Sequence, residues 1–171
     1  MTVLTMSTAA FGATLHLLGC EGRCLLPRNE NAETFLAGRE ELCRNGWAEL
    51  DFDGSLLPDP VFARRICGLK GCTAAMQLVQ DGKTCWLLYT PVEGLLIEQV
   101  GETVRLQQLR NNDALQWMRD VVLPAAEGRL TTQGPDGKKK STSLAAYAAG
   151  SRQRAEQLAR HLCLFYGKEE N

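Results

Sequence analysis

The sequence predicts an α+β fold on three observations. Capped, helix-period apolar stripes occupy the first third, segments joined by tight turns fill the middle, and helical stripes return toward the end. Composition agrees: 171 residues, 44% apolar, 23% charged and 6% aromatic at net charge −1, which excludes collagen-like, low-complexity and disordered chains. A chain of this length forms one domain and buries roughly 70% of its extended surface, enough for a core without metal or disulfides. No repeat or Gly/Ser/Pro linker divides it. Residues 1–171 therefore read as one domain: a helical part over 1–70, a β-meander over 71–110, and a helix, hairpin and C-terminal helix over 111–171.

Each element has a local cause. Ser7 or Thr8 caps a first helix carrying Phe11, Leu15 and Leu18, which ends by Gly19. Leu26-Pro27 closes the next loop, and Asn31 caps a second helix through Phe35, Leu36, Leu42 and Cys43 that stops at Asn45-Gly46. Trp47–Asp51 and Ser55–Leu57 flank the turn Asp51-Phe52-Asp53-Gly54 as a small wing-like hairpin. Pro60 suits the first turn of a third helix, with Val61, Phe62, Ile66 and Leu69 inward.

Asp81-Gly82 makes a two-residue hairpin pairing Gln80 with Lys83, Leu78 with Cys85, Met76 with Leu87 and Ala74 with Tyr89. Gly101-Glu102 pairs Val100 with Thr103 and sets Glu98 opposite Arg105, a favourable cross-strand charge pair. Met76, Leu78, Leu87, Leu95, Ile97, Val104 and Leu106 are then expected in the core. The other face holds Gln77, Glu98, Arg105 and Gln107, yet also the apolar Trp86, Leu88 and Leu96. Those three are the candidate partner-binding residues unless a later segment of the chain covers them. Asn112 or Asp113 caps a fourth helix with Ala114, Leu115, Met118, Val121 and Val122 on one stripe, ended by Pro124. Residues 129–133 and 138–143 form a further hairpin, and 152–166 a last helix that packs on the sheet.

Leu17-Leu18-Gly19-Cys20 imitates a lipoprotein box. The first 19 residues hold no Lys or Arg, however, and His16 interrupts the apolar stretch, so an amphipathic helix is expected there. No apolar run approaches the roughly 18–20 residues that span a bilayer, and no membrane partner is expected. Seven cysteines (Cys20, Cys24, Cys43, Cys67, Cys72, Cys85 and Cys163) are an odd count, and no N-x-S/T site exists. Both suit a reducing, cytoplasmic interior. Cys20, Cys24, Cys67 and Cys72 are the only spacing that suggests zinc ligands; buried reduced thiols, with no metal or other cofactor, are the expectation.

Residues 1–127 carry net −5 and 128–171 net +4, the excess centred on Lys138, Lys139 and Lys140. The second helix mixes Glu33, Arg39, Glu40, Glu41 and Arg44, which does not suit a DNA-reading helix, so no nucleic-acid partner is expected. Catalytic signatures are missing too. Gly82-Lys83-Thr84 ends like a P-loop, but Gln77 stands where its first glycine belongs, and His16 and His161 lie on separate helices without a nucleophile motif. Catalytic residues are therefore expected to be none. A small enzyme of unknown reaction and a winged-helix-like regulator remain the alternatives to a binding module.

The landmarks in order resemble the first half of the EspG-like chaperones of type VII (ESX) secretion. They are the short helix with Phe11, Leu15 and Leu18, the Leu26-Pro27 turn, and the longer helix that ends near glycine, at Leu42 to Gly46. Asp51-x-x-Gly54-x-Leu56-x-Pro58, the meander, Leu123-Pro124 and the Ser/Thr-rich strand at 141–143 follow. The resemblance covers residues 5–150. It implies a cytosolic, non-catalytic protein that binds helical secreted proteins and keeps them soluble. Family members are about twice this length, built of two similar halves. A single half is therefore expected to pair as a homodimer, through the outer sheet face or the 152–166 helix with Trp86 or Leu88 near the centre.

Metal analysis and thiol titration of protein purified under reductant and then denatured are expected to find no zinc and all seven thiols. One zinc per chain would overturn this and make Cys20, Cys24, Cys67 and Cys72 the ligands to test.

Overall fold

In a computed structural model of the protein, which describes residues 3–29, 31–90, 93–122 and 124–144, a mixed α+β architecture is built on a seven-stranded antiparallel sheet. Strand β1 (Leu4–Ser7) leads into α1 (Thr8–Leu18), and α2 (Ala32–Arg44) follows a loop. The short strands β2 (Ala48–Leu50) and β3 (Leu56–Pro58) form a separate hairpin before α3 (Pro60–Gly71). The meander is β4 (Ala74–Gln80), β5 (Lys83–Tyr89), β6 (Gly94–Val100) and β7 (Thr103–Leu109). Helix α4 (Asn111–Trp117) continues into a π-helical turn, Met118–Val122, before β8 (Arg129–Gln133) and β9 (Lys139–Ser143). The sheet order is β1-β7-β6-β5-β4-β8-β9. The sequence-predicted helix at 152–166, with His161 and Cys163, lies outside the described residues.

The caps expected at Ser7, Gly19 and Asn31 form, and Asp59 adds one ahead of Pro60. Ser7 Oγ accepts from Ala10 N at 3.0 Å, and Gly19, at φ +62°, closes α1 with its N–H toward the His16 carbonyl. Asn31 Oδ1 accepts from Glu33 N, and Asp59 Oδ1 from Val61 N and Phe62 N, each within 3.0 Å. Helix α4 starts earlier than either predicted cap, because Ala114 N already bonds the Arg110 carbonyl at 2.9 Å.

Strand β1 is absent from the sequence reading, which extends the first helix from the cap alone. It pairs Leu4 with Leu106 and Met6 with Val104 at the sheet edge. Ser7 N then donates to Glu41 Oε1 at 3.0 Å and Ser7 Oγ to Glu41 Oε2, fastening the strand–helix junction to α2.

Both predicted hairpin registers occur, with Gln80 opposite Lys83 and Val100 opposite Thr103. Joining them corrects the expected core. Lys83 pairs with Val100, so Cys85, Glu98 and Arg105 stand in one row, while Trp86, Ile97 and Leu106 stand in the next. Met76, Leu78 and Leu87 therefore lie on the opposite face from Leu95, Ile97, Val104 and Leu106, and both faces are buried. The second group packs with α1, α2, α3 and the 19–29 loop, while the first packs with Ala114, Met118, Val122, Leu130 and Leu144. Glu98 stands opposite Arg105 as expected, and its ion pair is with Lys83 Nζ at 2.6 Å. Val61, read as inward, is 53% exposed, and Leu36 on α2 is 54% exposed.

Helices α1 and α2 cross where Gly38 lies against Ala9. A Cβ on Gly38 would stand 2.6 Å from the Ala9 carbonyl carbon, closer still to its oxygen, and 3.0 Å from Ala13 Cβ. Overpacking costs about 1–3 kcal/mol and outweighs the roughly 1 kcal/mol that alanine gains over glycine in a helix. Thermal unfolding of Gly38→Ala is expected to fall by several degrees. Gly71→Ala, at the end of α3 with nothing within 4 Å, is expected to match or exceed the parent.

Candidate functional site

Trp86, Leu88 and Leu96 are not one exposed cluster. Trp86 and Leu88 are 3% and 0% exposed beneath α1, α3 and the 19–29 loop, and Leu96 is 4% exposed on the opposite face. Trp86 Nε1 donates to the Leu25 carbonyl at 3.0 Å, which ties the loop to the sheet. The surface expected to seat a second copy around Trp86 and Leu88 is thus occupied by the chain's own helices and loop. Leu96 forms one wall of a shallow concavity of about 370 Å³ with Thr5, Glu98, Arg105 and Gln107. Val3 joins Leu96 as its apolar lining.

Of the four candidate zinc ligands, three gather in the interior and Cys67 stands apart. Cys20, Cys24 and Cys72 are buried, whereas Cys67 is exposed on α3 with its thiol on the Arg64 carbonyl at 3.1 Å. Helix periodicity explains this, since Ile66 and Leu69 take the inward positions of α3. Among the described residues no group of three or more His, Cys, Asp or Glu is arranged to hold a metal. Burial pushes the Cys20 thiol up to about 11, and burial does the same to Cys85 on the far face. His16 Nδ1 lies 3.1 Å from Glu21 Oε2, and its ring meets the Phe35 ring edge-on.

The exposed apolar side chains concentrate elsewhere, around the β2–β3 hairpin. Phe52 at its tip is fully exposed, Leu50 and Leu57 on its strands are more than half exposed, and Val61 and Leu36 lie on the adjoining helices. The hairpin is held in place. Asp51 N bonds Ser55 O at 2.9 Å, Gly54 turns at φ +79°, and Arg39 from α2 donates to the Gly54 carbonyl at 2.6 Å. Trp47 stacks on Phe62 beneath it, with ring centroids 5.4 Å apart. Asp51 and Asp53 flank Phe52, and the Asp53 carboxyl is held below its ordinary value by the hydrogen bond from Ser55. The result is an apolar knob between two carboxylates on a braced support. The signal was present in the sequence: an aromatic residue between turn-forming aspartates has no core to enter.

Truncating a buried Trp costs about 3–5 kcal/mol, and a polar group in place of buried Leu88 adds to that, against a whole-domain stability of about 5–15 kcal/mol. Trp86→Ala with Leu88→Ser is therefore expected to abolish the cooperative thermal transition. A dissociated but still folded chain would instead restore these residues to an interface.

Compared with known family models and with curated proteins, the chain matches none.

Proposed function

We propose that the chain is a non-catalytic protein-binding module of the EspG-like kind, a cytosolic chaperone or adaptor for helical type VII secretion substrates. The observation that carries this reading is the braced, exposed apolar hairpin. Solvated apolar side chains gathered on a held support are what a partner helix docks against. The element order (helices, small hairpin, helix, meander, helix and hairpin) runs parallel to the family's landmarks and supports the resemblance.

The chemistry of the partner follows from the patch. Burying Phe52, Leu57 and Val61 is worth about 5–9 kcal/mol in total, comparable to the 4–15 kcal/mol that association costs in lost freedom. Apolar contact alone therefore gives a weak complex. Asp51 and Asp53 beside Phe52 select a partner with cations around an apolar helical tip, and the −5 charge of residues 1–127 attracts the same partner at long range.

Co-purification of the tagged full chain from its native cell, read by mass spectrometry, is expected to recover a small helical protein with Lys or Arg beside apolar residues. With that partner purified, Phe52→Ala combined with Leu57→Ser is expected to weaken binding at least tenfold and leave thermal unfolding unchanged, because both side chains are exposed. A partner bound equally well by the variant overturns the reading. Recovery of a metabolite or duplex DNA in its place would favour an enzyme or a regulator.

A further inference from the structure

The loop between α1 and α2, residues 19–29, turns its cysteines inward. Cys20, Cys24 and Leu26 are buried, and the loop closes on itself through Gly22 N to Pro27 O at 3.3 Å and Leu26 N to Arg23 O at 2.8 Å. Cys24 and Leu25 adopt φ +48° and +63°, two consecutive left-handed residues that are not glycine. Such residues persist only where their surroundings hold them. Two contacts do so: Leu25 O receives the Trp86 indole, and the Cys24 thiol donates to the Cys72 carbonyl at 3.4 Å. The strained turn therefore delivers the Cys24 sulfur onto the backbone of Cys72, beside the Cys72 thiol.

Among the described residues the other thiols are placed differently. The Cys20 thiol is directed to the Leu15 carbonyl at 3.6 Å, Cys43 is on α2, Cys67 is on the exposed side of α3, and Cys85 belongs to the opposite face of the sheet. Cys72 caps α3 in extended conformation, outside the helical hydrogen-bond ladder, so it can shift slightly without breaking the helix.

We propose that Cys24 and Cys72 are a redox-active dithiol, which a peroxide converts to a disulfide that pins the 19–29 loop to the end of α3. The hydrogen bond from the Cys72 thiol, aided by the charge of Arg23, outweighs burial and holds Cys24 below its ordinary thiol value, while the same bond pushes Cys72 up. In the proposed step Cys24 attacks, giving up the proton that it donates to the Cys72 carbonyl. Its sulfur takes one peroxide oxygen, giving a sulfenic acid, and the O–O bond breaks with the other oxygen leaving as water once protonated. The Cys72 sulfur then displaces hydroxide from the Cys24 sulfenic acid, and that hydroxide takes the Cys72 proton and leaves as water. Two thiols and one hydrogen peroxide become one disulfide and two waters, the sulfurs oxidised and the peroxide oxygens reduced.

The test uses the full-length wild-type chain, reduced, freed of reductant, and treated with a few equivalents of hydrogen peroxide. Free thiols are then alkylated and tryptic peptides mapped without reductant. Cleavage after Arg23 separates Cys20 from Cys24, and cleavage after Lys70 separates Cys67 from Cys72, so the bridge is assigned without ambiguity. The expected product joins the Cys24 and Cys72 peptides, disappears with dithiothreitol, is absent from Cys24→Ser and Cys72→Ser, and persists in Cys67→Ser. Oxidised protein is expected to melt several degrees above the reduced form. Cys24 and Cys72 both recovered alkylated, Cys24 oxidised to sulfinic acid with Cys72 free, or a bridge from Cys24 to Cys20 or Cys163 would each overturn the proposal.

Discussion

Strand β5 is apolar on both of its sides, and the rest of the molecule is arranged to answer that. Cys85, Trp86, Leu87 and Leu88 are four consecutive buried residues, two directed to each face of the sheet. Unbroken apolar runs of this kind are usual in parallel sheets covered on both faces, whereas an antiparallel meander commonly leaves one face wet. Here one cover is made from the segments before the meander and the other from those after it. The first is α1, the 19–29 loop and α3; the second is α4 and its π-helical turn, joined by Leu130 and Leu144 from the hairpin that extends the sheet beside β4.

The first cover also fixes the geometry of the surface proposed to bind a partner. Glu41 and Gly38 attach α2 to the β1–α1 corner, one by hydrogen bonds to Ser7 and the other by leaving room for Ala9. From that fixed helix Arg39 reaches the Gly54 carbonyl, and Trp47 lies flat on Phe62. The hairpin tip is thereby positioned from two sides, so Phe52 is presented to solvent on a support that costs little further ordering when a partner arrives.

Local chemistry was legible in the sequence; the sharing of residues between distant segments was not. Ser7, Asn31, Pro60 and Gly19 declare their helix ends, and Asp81-Gly82 and Gly101-Glu102 declare their turns, because each acts on neighbours a few residues away. Each hairpin could be registered internally, but the step from β5 to β6 passes through a looser connection closed by Thr90 and Glu93. A single residue of difference there exchanges the two faces, which is why Trp86 and Leu88 read as an outer patch. Strand β1 escaped notice for a related reason, since four residues leave too little alternation to see. Phe52 does stand out between its turn-forming aspartates, but turn chemistry alone accounts for that stretch, so it did not read as a site.

The pairing of β1 with β7 has a consequence for the order in which the chain acquires its shape. Leu4 is hydrogen-bonded in register with Leu106, about a hundred residues away along the chain. On a ribosome elongating at about 5–20 residues per second, the first strand waits several seconds for its template to be synthesised. Helices α1 and α2 exist in that interval only as an αα pair without a sheet beneath it, their apolar undersides uncovered. The amino-terminal cover is made first and seated late, so the nascent chain passes through a sticky stage that ends when β7 clears the exit tunnel.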